Sequence, residues 1–569
     1  MIFRLTLLTA LPTLILSAGD FSTKFARDLV TAGPGDAQVV VQFNTTPGPV
    51  HEAMLESHGG RLIRHLPLIK GVACTISASR LAELAKESDV KSIAPDRPIA
   101  GIGKATTAAY NGAPPDYGWM SVGADTATKA QHTTGAGIGI AVIDSGMNNL
   151  PDLQDAFGHP RIVYAESFVP GDSATGDAFG HGDHVAGIIG GTGANSTGSQ
   201  YIYTVRGIAT GVNFVNLRVL DANGESRDST VIAAIGRAIQ LQNLYNIRVI
   251  NLSLGRPVTD YCSNDALCQA VEQAWQAGIV VVVAAGNGGR DNSAETNGYG
   301  TITVPGNNPY VITVGAMNTL GTPETGDDRI ASYSSKGPTL FDHFVKPDLV
   351  APGNRIFSVR TAASTLDTTY PTNQVPVSVY AKTNKNGQTP VYFNLSGSSM
   401  ATPMVSGAAA LMLQLTPSLT PDEVKARLMK TAAKFPQETW TIVDPSTGQL
   451  YVDESDIFTV GAGYLDIPPA LLDEDLLTGP ALSPTAVSDG DGHVTLSFDS
   501  SVIWGTGSTW ASSVVWGTGA IAGASVVWGT GAVWGSQSEY GASVIWGTSV
   551  IWGTRTPGDA AATPIDGDQ

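Results

Sequence analysis

A series of short, almost wholly apolar runs is the feature of this sequence that most constrains its fold. Strands that are rich in Val and Ile and show no polar alternation are typical of a parallel sheet covered on both faces. Five such runs lie at residues 138–143, 212–219, 249–253, 279–284 and 311–314. Helical patterns alternate with them, at residues 229–242, 266–277, 400–414 and 421–431. Residues 116–472 are therefore predicted to form a three-layer α/β/α sandwich with a mostly parallel sheet.

A smaller unit is predicted before the sandwich, over residues 37–98. Its apolar periodicity gives the order strand, helix, strand, strand, helix, strand, which is a small ferredoxin-like α+β arrangement. Residues 99–115 are rich in Gly, Ala and Thr. This stretch is predicted to be an exposed linker that a protease could cut.

The last part of the chain, residues 473–569, has a different composition. Seven of the ten tryptophans stand at positions 504, 510, 516, 528, 534, 546 and 552, so that neighbours are six or twelve residues apart. An even period keeps every Trp on one face of an extended chain. A repetitive β structure and a low-complexity, disordered tail both fit this hexad repeat.

The net charge limits which partners the protein is expected to bind, and the amino-terminal segment indicates its compartment. The formal net charge of −18 would repel phosphate backbones, so nucleic acid is not expected as a partner. Arg4, an apolar run and small residues follow one another as in a secretory signal peptide, here assigned to residues 1–19. No other stretch has the ~20 apolar residues of a membrane span. A secreted or cell-surface protein is expected.

The three cysteines leave two possibilities open. Cys262 and Cys268 are close enough in sequence for a small local disulfide, with Cys74 unpaired. All three could equally be ordinary small buried side chains.

Two residues could form the acid and base of an acyl-transfer site. Asp144 follows an apolar run, at the carboxyl end of a predicted strand, where ligands gather in open α/β sheets. It could equally begin a turn. His181 stands between two glycines before a helix of small residues and could act as a general base or be a turn histidine. His184 is a rival base that is expected to point into the helix packing.

Two further residues could supply the nucleophile and an oxyanion donor. Ser399 lies where a Gly-Ser turn runs into an apolar helix, whose dipole would favour a nucleophile, although Ser398 or Ser399 could simply cap that helix. Asn287 ends a strand between two glycines, and its side-chain amide could face an oxyanion. An Asn in such a turn could also be present for its backbone conformation.

Taken together and in this order, the blocks around Asp144, His181, Asn287 and Ser399 resemble those of the subtilisin-like serine peptidases, or subtilases. The resemblance covers about residues 116–472 and includes residues 249–255, which are similar to the family's substrate-binding strand. It implies a seven-stranded parallel sheet. It also implies that the upstream unit is an inhibitory propeptide, which assists folding as an intramolecular partner and is then cut away.

The resemblance assigns a role to each candidate. Ser399 attacks the peptide, His181 is the base, Asp144 orients the imidazole, and Asn287 with the Ser399 backbone N–H stabilises the oxyanion. A protein or peptide substrate is expected to add as a strand, which implies broad specificity. The residues expected to bind it are Ser253, Leu254, Gly255, Ala284, Ala285 and Gly286. The chemistry needs no cofactor, and structural calcium is expected only by analogy, without ligands that the spacing can name.

The sequence departs from the family pattern at two positions. Asp183 stands where the family usually has Thr, and Met404 where many members have His. Asp183 adds a carboxylate two residues from His181 and is expected to raise the pKa of that imidazole.

Three other functions compete with this interpretation. A non-catalytic surface-binding protein would use the Trp hexads and keep the peptidase domain as a scaffold. The acid-active sedolisin branch has Glu in place of the histidine base, so His181 and Asn287 argue against it. An α/β-hydrolase esterase has the order Ser, acid, His, which is opposite to the order found here.

Overall fold

The computed structural model describes residues 21–29, 35–101, 118–294, 296–382, 388–434, 438–443, 450–474, 479–488 and 494–497. The predicted signal peptide, the predicted linker beyond residue 101 and the Trp hexads lie outside these residues. The chain divides after Asp96 into two compact units.

The first unit has the predicted order of strands and helices. Its four strands form an antiparallel sheet in the order β2-β3-β1-β4. Residues such as Val39, Val41 and Phe43 alternate along β1 and are buried in the unit's core, which explains why this segment forms a strand. The elements are β1 (Asp36–Phe43), α1 (Pro49–Ser57), β2 (Arg61–Leu66), β3 (Gly71–Ser77), α2 (Leu81–Leu84) and β4 (Val90–Pro95).

The second unit is built on a mostly parallel sheet, in the order β14-β13-β12-β10-β6-β8-β7, with β15 also paired to β13. Seven of these strands are parallel and only β14 is antiparallel, as the resemblance implied. The strands of this sheet are β6 (Gly139–Asp144), β7 (Ile162–Ser167), β8 (Asn213–Arg218), β10 (Ile247–Leu252), β12 (Val280–Ala284), β13 (Ile312–Asn318), β14 (Arg329–Ile330) and β15 (Leu349–Pro352).

Helices cover both faces of this sheet, which confirms the predicted three-layer sandwich. Helices α6 and α7 contact each other, and α5 contacts α10. Helix α10 packs on β10, β12, β13 and β15, and its small residues permit this close contact. The helices of the unit are α3 (Gly118–Ser121), α4 (Ala124–Gln131), α5 (Gly182–Gly190), α6 (Asp228–Tyr245), α7 (Ala266–Gln276), α8 (Thr365–Thr369), α9 (Val377–Tyr380), α10 (Ser398–Leu415), α11 (Pro421–Thr431) and α12 (Ile467–Leu472).

Smaller strands complete the second unit. A three-stranded antiparallel sheet has the order β11-β5-β9, from Leu254–Gly255, Pro98–Gly101 and Glu225–Arg227. The first residues of the predicted linker are thus part of a strand, and Ile99 is buried, because their backbone finds partners on both sides. The remaining pairs are β16 (Ile356–Val359) with β17 (Tyr392–Leu395), β18 (Thr439–Val443) with β19 (Leu450–Glu454), and β20 (Thr485–Ser488) with β21 (Val494–Ser497).

The cysteines behave as small buried side chains. Cys74, Cys262 and Cys268 are all buried free thiols in this structure. Burial raises the pKa of the Cys74 thiol to about 12, so it stays protonated at neutral pH. Among the described residues, no helix combines the length and hydrophobicity needed to cross a bilayer.

We expect Gly407→Ala to destabilise the second unit. A Cβ at this position of α10 would lie 2.6 Å from Ile208 Cβ, which cannot move without shifting its backbone. The overpacking should outweigh the better helix propensity of Ala and lower the free energy of unfolding by about 1–2 kcal/mol. The measurement is urea unfolding followed by circular dichroism. Gly326→Ala, where a Cβ meets no atom within 4 Å, is the control, and equal loss in both variants would contradict the prediction.

Candidate active site

The candidate residues gather at the carboxyl edge of the parallel sheet. Asp144 is the last residue of β6, Ser253 follows β10, and Asn287 lies three residues beyond the end of β12. His181 is the residue before α5, and Ser399 lies in the first turn of α10. Hydrogen bonds join His181 to Asp144 and Ser399 to the carbonyl of Ser253, which places the starts of α5 and α10 at this edge.

A buried hydrogen bond joins Asp144 to His181. Their Oδ1 and Nδ1 atoms are 2.8 Å apart, and both side chains are at most 1% exposed. If Nδ1 carries the proton that this bond needs, the lone pair of the neutral ring is on Nε2. Nε2 is buried and has no hydrogen-bond partner among the described residues. The pair thus presents one basic nitrogen for a further proton.

A close backbone approach fixes the distance between the strand end and the helix start. The loop after β6 turns at Gly146, whose φ is +112°, and its carbonyl lies against Gly182, the first residue of α5. A Cβ at Gly182 would collide with that carbonyl. The glycines around Asp144 and His181 are therefore needed for the two side chains to meet.

Two residues that support the Asp144–His181 pair, Asp177 and Ser145, were not predicted from the sequence. Asp177 accepts hydrogen bonds from Ser145 Oγ at 2.8 Å, from Gly180 N at 2.7 Å and from Asp183 N at 2.9 Å. Ser145 Oγ also accepts from Gly182 N at 2.8 Å. Asp177 and Ser145 therefore tie the turn before α5 to the end of β6. The only sequence signal was a carboxylate four residues before His181.

The charge that raises the pKa of His181 does not come from Asp183. Burial alone would lower this pKa, but the charge and hydrogen bond of Asp144 and the charge of Asp177 outweigh it and raise the pKa. The expectation for Asp183 was wrong in its cause. Its carboxylate is turned away, to Asn148 N and Nδ2 at 2.7 Å each and to Thr361 Oγ1 at 2.6 Å.

The pKa of the Asp183 carboxyl group is itself shifted from its ordinary value. Burial, and then the charge of Asp177, raise the pKa of Asp183 to about 7. A carboxyl group that is partly neutral near pH 7 has less charge with which to act on an imidazole.

His184 is not a competing base. Its Nε2 lies 3.2 Å from the carbonyl of Ile356 and 3.1 Å from that of Phe393, so the ring is buried where α5 packs on β16, and it faces strands where helix packing was expected. Burial, and then the charge of His181, lower the pKa of His184 to about 3.

Ser399 does not cap α10. The residue before the helix is Gly397, and no side chain caps it. The Ser399 hydroxyl donates to the carbonyl of Ser253 at 3.1 Å, and no hydrogen bond joins it to His181 among the described contacts. The side chain is fully buried.

Asn287 is held beside the candidate nucleophile. Its Oδ1 accepts from the backbone N–H of Ser398 at 2.9 Å, and the Ser398 hydroxyl lies 3.1 Å away. The same hydroxyl bonds Gly286 at 3.1 Å. Ser398 therefore fastens the loop after β12 to the start of α10, a role the sequence did not indicate.

The predicted substrate strand already has a neighbour. Leu254 and Gly255 form β11, which pairs antiparallel with residues 98–101, Leu254 opposite Gly101 and Gly255 opposite Ala100. On its other side this segment pairs with β9. The groove between β9 and β11 thus accepts an extended chain by main-chain hydrogen bonds. Ala284, Ala285 and Gly286 are buried, Gly286 bonds Ser398, and the contact of all three with a substrate stays a prediction.

Among the described residues, no group of three or more His, Cys, Asp or Glu side chains is arranged to hold a metal ion. Structural calcium therefore stays a prediction without assigned ligands.

A buried Asp–His pair and a serine at a helix start, all at the carboxyl edge of a parallel sheet, are the elements that a serine peptidase needs. The model of the subtilase family matches residues 135–462. The chain is 38% identical to serine protease AprX of Bacillus subtilis, over 55% of this chain and 67% of that protein. It is 34% identical to subtilisin DY of Bacillus licheniformis, over 56% of this chain and 92% of that protein.

The fold has a counterpart among solved structures. Fervidolysin from Fervidobacterium pennivorans, a keratinolytic enzyme related to subtilisin, aligns with a TM-score of 0.57 at 21% identity, over 81% of this chain and 64% of fervidolysin. The chain belongs to the subtilase family and is a serine endopeptidase.

We expect Asp177→Asn to shift the acidic limb of the pH profile of kcat/KM toward lower pH. If His181 is the general base, it must be neutral to act, so activity rises with pH through the pKa of His181, which Asp144 and Asp177 raise above its ordinary value. Without the Asp177 charge this pKa falls, and activity persists to lower pH. The control is Asp327→Asn, an exposed carboxylate that does not act on His181. An unchanged limb, or a shift to higher pH, contradicts the prediction.

Proposed function

We propose that this chain is a secreted endopeptidase made as a zymogen, with Ser399 as nucleophile, His181 as general base and Asp144 as the residue that orients it. The observation that carries the proposal is the 2.8 Å bond between Asp144 and His181 Nδ1, which leaves a buried Nε2 without a partner among the described residues. A base of this kind is what a serine hydroxyl needs to become a nucleophile.

The reaction then has two halves. The Ser399 hydroxyl turns from the Ser253 carbonyl to His181 Nε2, gives up its proton and attacks the carbonyl carbon of the scissile peptide. His181 passes the proton to the departing amine, which leaves an ester on Ser399. A water molecule, deprotonated by the same imidazole, hydrolyses the ester and restores the hydroxyl. Asp144 stabilises the imidazolium in both halves.

The oxyanion would be stabilised by the Asn287 amide and the Ser399 backbone N–H. The support is that Asn287 Oδ1 is held by Ser398 N, so the orientation of the amide is set before substrate arrives. Such preorganised donors are worth about 10²- to 10³-fold in turnover each.

The inhibitory function of the amino-terminal segment is supported by β5. Residues 98–101 lie between β9 and β11, where a substrate strand would bind. Ser253, whose carbonyl accepts the Ser399 hydroxyl, directly precedes β11. Continuing the antiparallel register predicts that self-cleavage falls just beyond Gly101, after which the upstream residues act as a bound inhibitor.

Secretion is supported by the order of residues 1–19, and the Trp hexads could retain the enzyme at a cell surface. Both features lie outside the described residues. The alternative of a non-catalytic surface-binding protein has no support in the geometry of the described residues.

We expect Ser399→Ala to lower peptide hydrolysis on the order of 10⁶-fold and to leave the chain uncut. The measurements are casein hydrolysis, labelling by a fluorophosphonate and amino-terminal sequencing of the product. Ser406→Ala is the matched control, because Ser406 is buried in the same helix and bonds only Asn251 among its described contacts.

Misfolding of the Ser399→Ala chain can be separated from loss of chemistry. Wild-type enzyme added to it should cut it just beyond Gly101 and nowhere in the folded domain. Retained self-cleavage of Ser399→Ala would refute the proposal.

A further inference from the structure

Four charged side chains are buried together where α6 and α7 begin. Arg256 bonds Asp228 through Nε at 2.7 Å and Nη2 at 2.9 Å, and Asp265 through Nη2 at 2.5 Å. Arg97 Nη1 lies 3.8 Å from Asp228 and 3.6 Å from Asp265. All four side chains are at most 6% exposed. Two positive and two negative charges therefore balance in a place from which water is excluded.

Arg97 differs from the other three because it belongs to the segment that fills the substrate groove. Its carbonyl accepts from Asp228 N at 3.0 Å, which continues the pairing of Pro98 with Arg227 by one residue. Along this segment Arg97, Ile99 and Gly101 are buried, whereas Pro98 is exposed. Every second position of this segment faces the protein, as in a bound strand, and the first of these positions carries a guanidinium.

The balance of charge changes when this segment leaves. Asp228, Asp265 and Arg256 remain, with one more negative than positive charge. Asp265 also accepts from the N–H groups of Leu267 and Cys268 and so stays fixed at the start of α7. Burial, partly offset by Arg256, raises the pKa of Asp228 to about 6, and the charge of Arg97 acts to lower it. The position that the Arg97 guanidinium leaves, beside Asp228 and Asp265, therefore favours another cation.

We propose that Asp228 and Asp265 form a subsite for a cationic side chain of the substrate, three residues before the substrate residue that faces Gly255. The chain's own Arg97 occupies this subsite until cleavage, and an Arg or Lys of a peptide substrate takes its place afterwards. The proposal rests on the proposed function, because it needs a substrate strand that lies where residues 98–101 now lie.

The other two residues of the segment that face the protein, Ile99 and Gly101, indicate which substrate side chains fit after the cation. Ile99 is 2% exposed, so an apolar side chain fits two residues after the cation. A Cβ at Gly101 would lie 3.1 Å from Leu220 Cδ1, so a small residue fits two further on. The favoured pattern is basic, any, apolar, any, small, which is narrower than the broad specificity that main-chain binding alone implies.

The test compares two synthetic peptides with the sequence of residues 97–104, Arg-Pro-Ile-Ala-Gly-Ile-Gly-Lys. In the second, citrulline replaces the Arg, which keeps its shape and removes its charge. Both are measured as competitors of casein hydrolysis by enzyme that has processed itself, whether or not they are cut. We expect the Arg peptide to bind about 10- to 100-fold more tightly, as for a desolvated ion pair.

A variant of Asp265 tests whether the difference in affinity between the two peptides comes from Asp228 and Asp265. Asp265→Asn keeps an oxygen that can cap α7 and removes one negative charge, so the ratio between the peptides should fall toward one. If this variant does not fold, Asp228→Asn, which removes the other negative charge and keeps an oxygen that can accept from Arg256, should lower the ratio in the same way.

The outcomes separate this inference from the proposed function. Equal affinities of the two peptides for an enzyme that hydrolyses casein, or an undiminished ratio in Asp265→Asn, overturn the subsite and leave the peptidase intact. An enzyme that neither hydrolyses casein nor reacts with fluorophosphonate overturns the proposed function instead.

Discussion

The buried hydrogen bond between Asp144 and His181 is the contact on which the rest of the site depends. A carboxylate and an imidazole without access to water need hydrogen-bond partners, and Asp144 Oδ1 accepts both from His181 Nδ1 and from Ser145 N. Several features of the fold hold Asp144 and His181 in position for this contact. The close approach of Gly146 to Gly182 sets its length, and Asp177 fixes the turn that carries the histidine. Asp177 has a second effect, because its charge also favours the protonated imidazole.

The groove beside β11 links inhibition to recognition. Residues 98–101 pair with the strand edges of β9 and β11, and in the proposed function a substrate strand binds the same edges. Main-chain bonds alone would accept almost any sequence. In the proposed subsite, the side chains beneath the strand narrow this choice, and Asp228 and Asp265 add a preference for a cationic side chain.

The elements of the fold follow largely from local patterns. The parallel strands were predictable because a strand covered on both faces must be apolar throughout, and α11 was predicted at its observed bounds. The βαββαβ order of the first unit was predictable for a similar reason, since its periodicity alternates between two and 3.6 residues. The strand at residues 98–101 was not, because its partners lie more than a hundred residues away and its own sequence is rich in turn-forming residues.

Local patterns in the chain were enough to predict the sheet, the order of the motifs and the residue types available for chemistry, because apolar periodicity and glycine placement act between near neighbours. Only the tertiary structure decided which of those residues touch. In the folded chain Asp183 bonds Asn148 and Thr361. Ser398 holds Asn287 by a hydrogen bond. Arg97 lies between two carboxylates that are distant in sequence. Such contacts depend on how helices and strands pack, and packing joins residues whose separation along the chain carries no information about their distance in space.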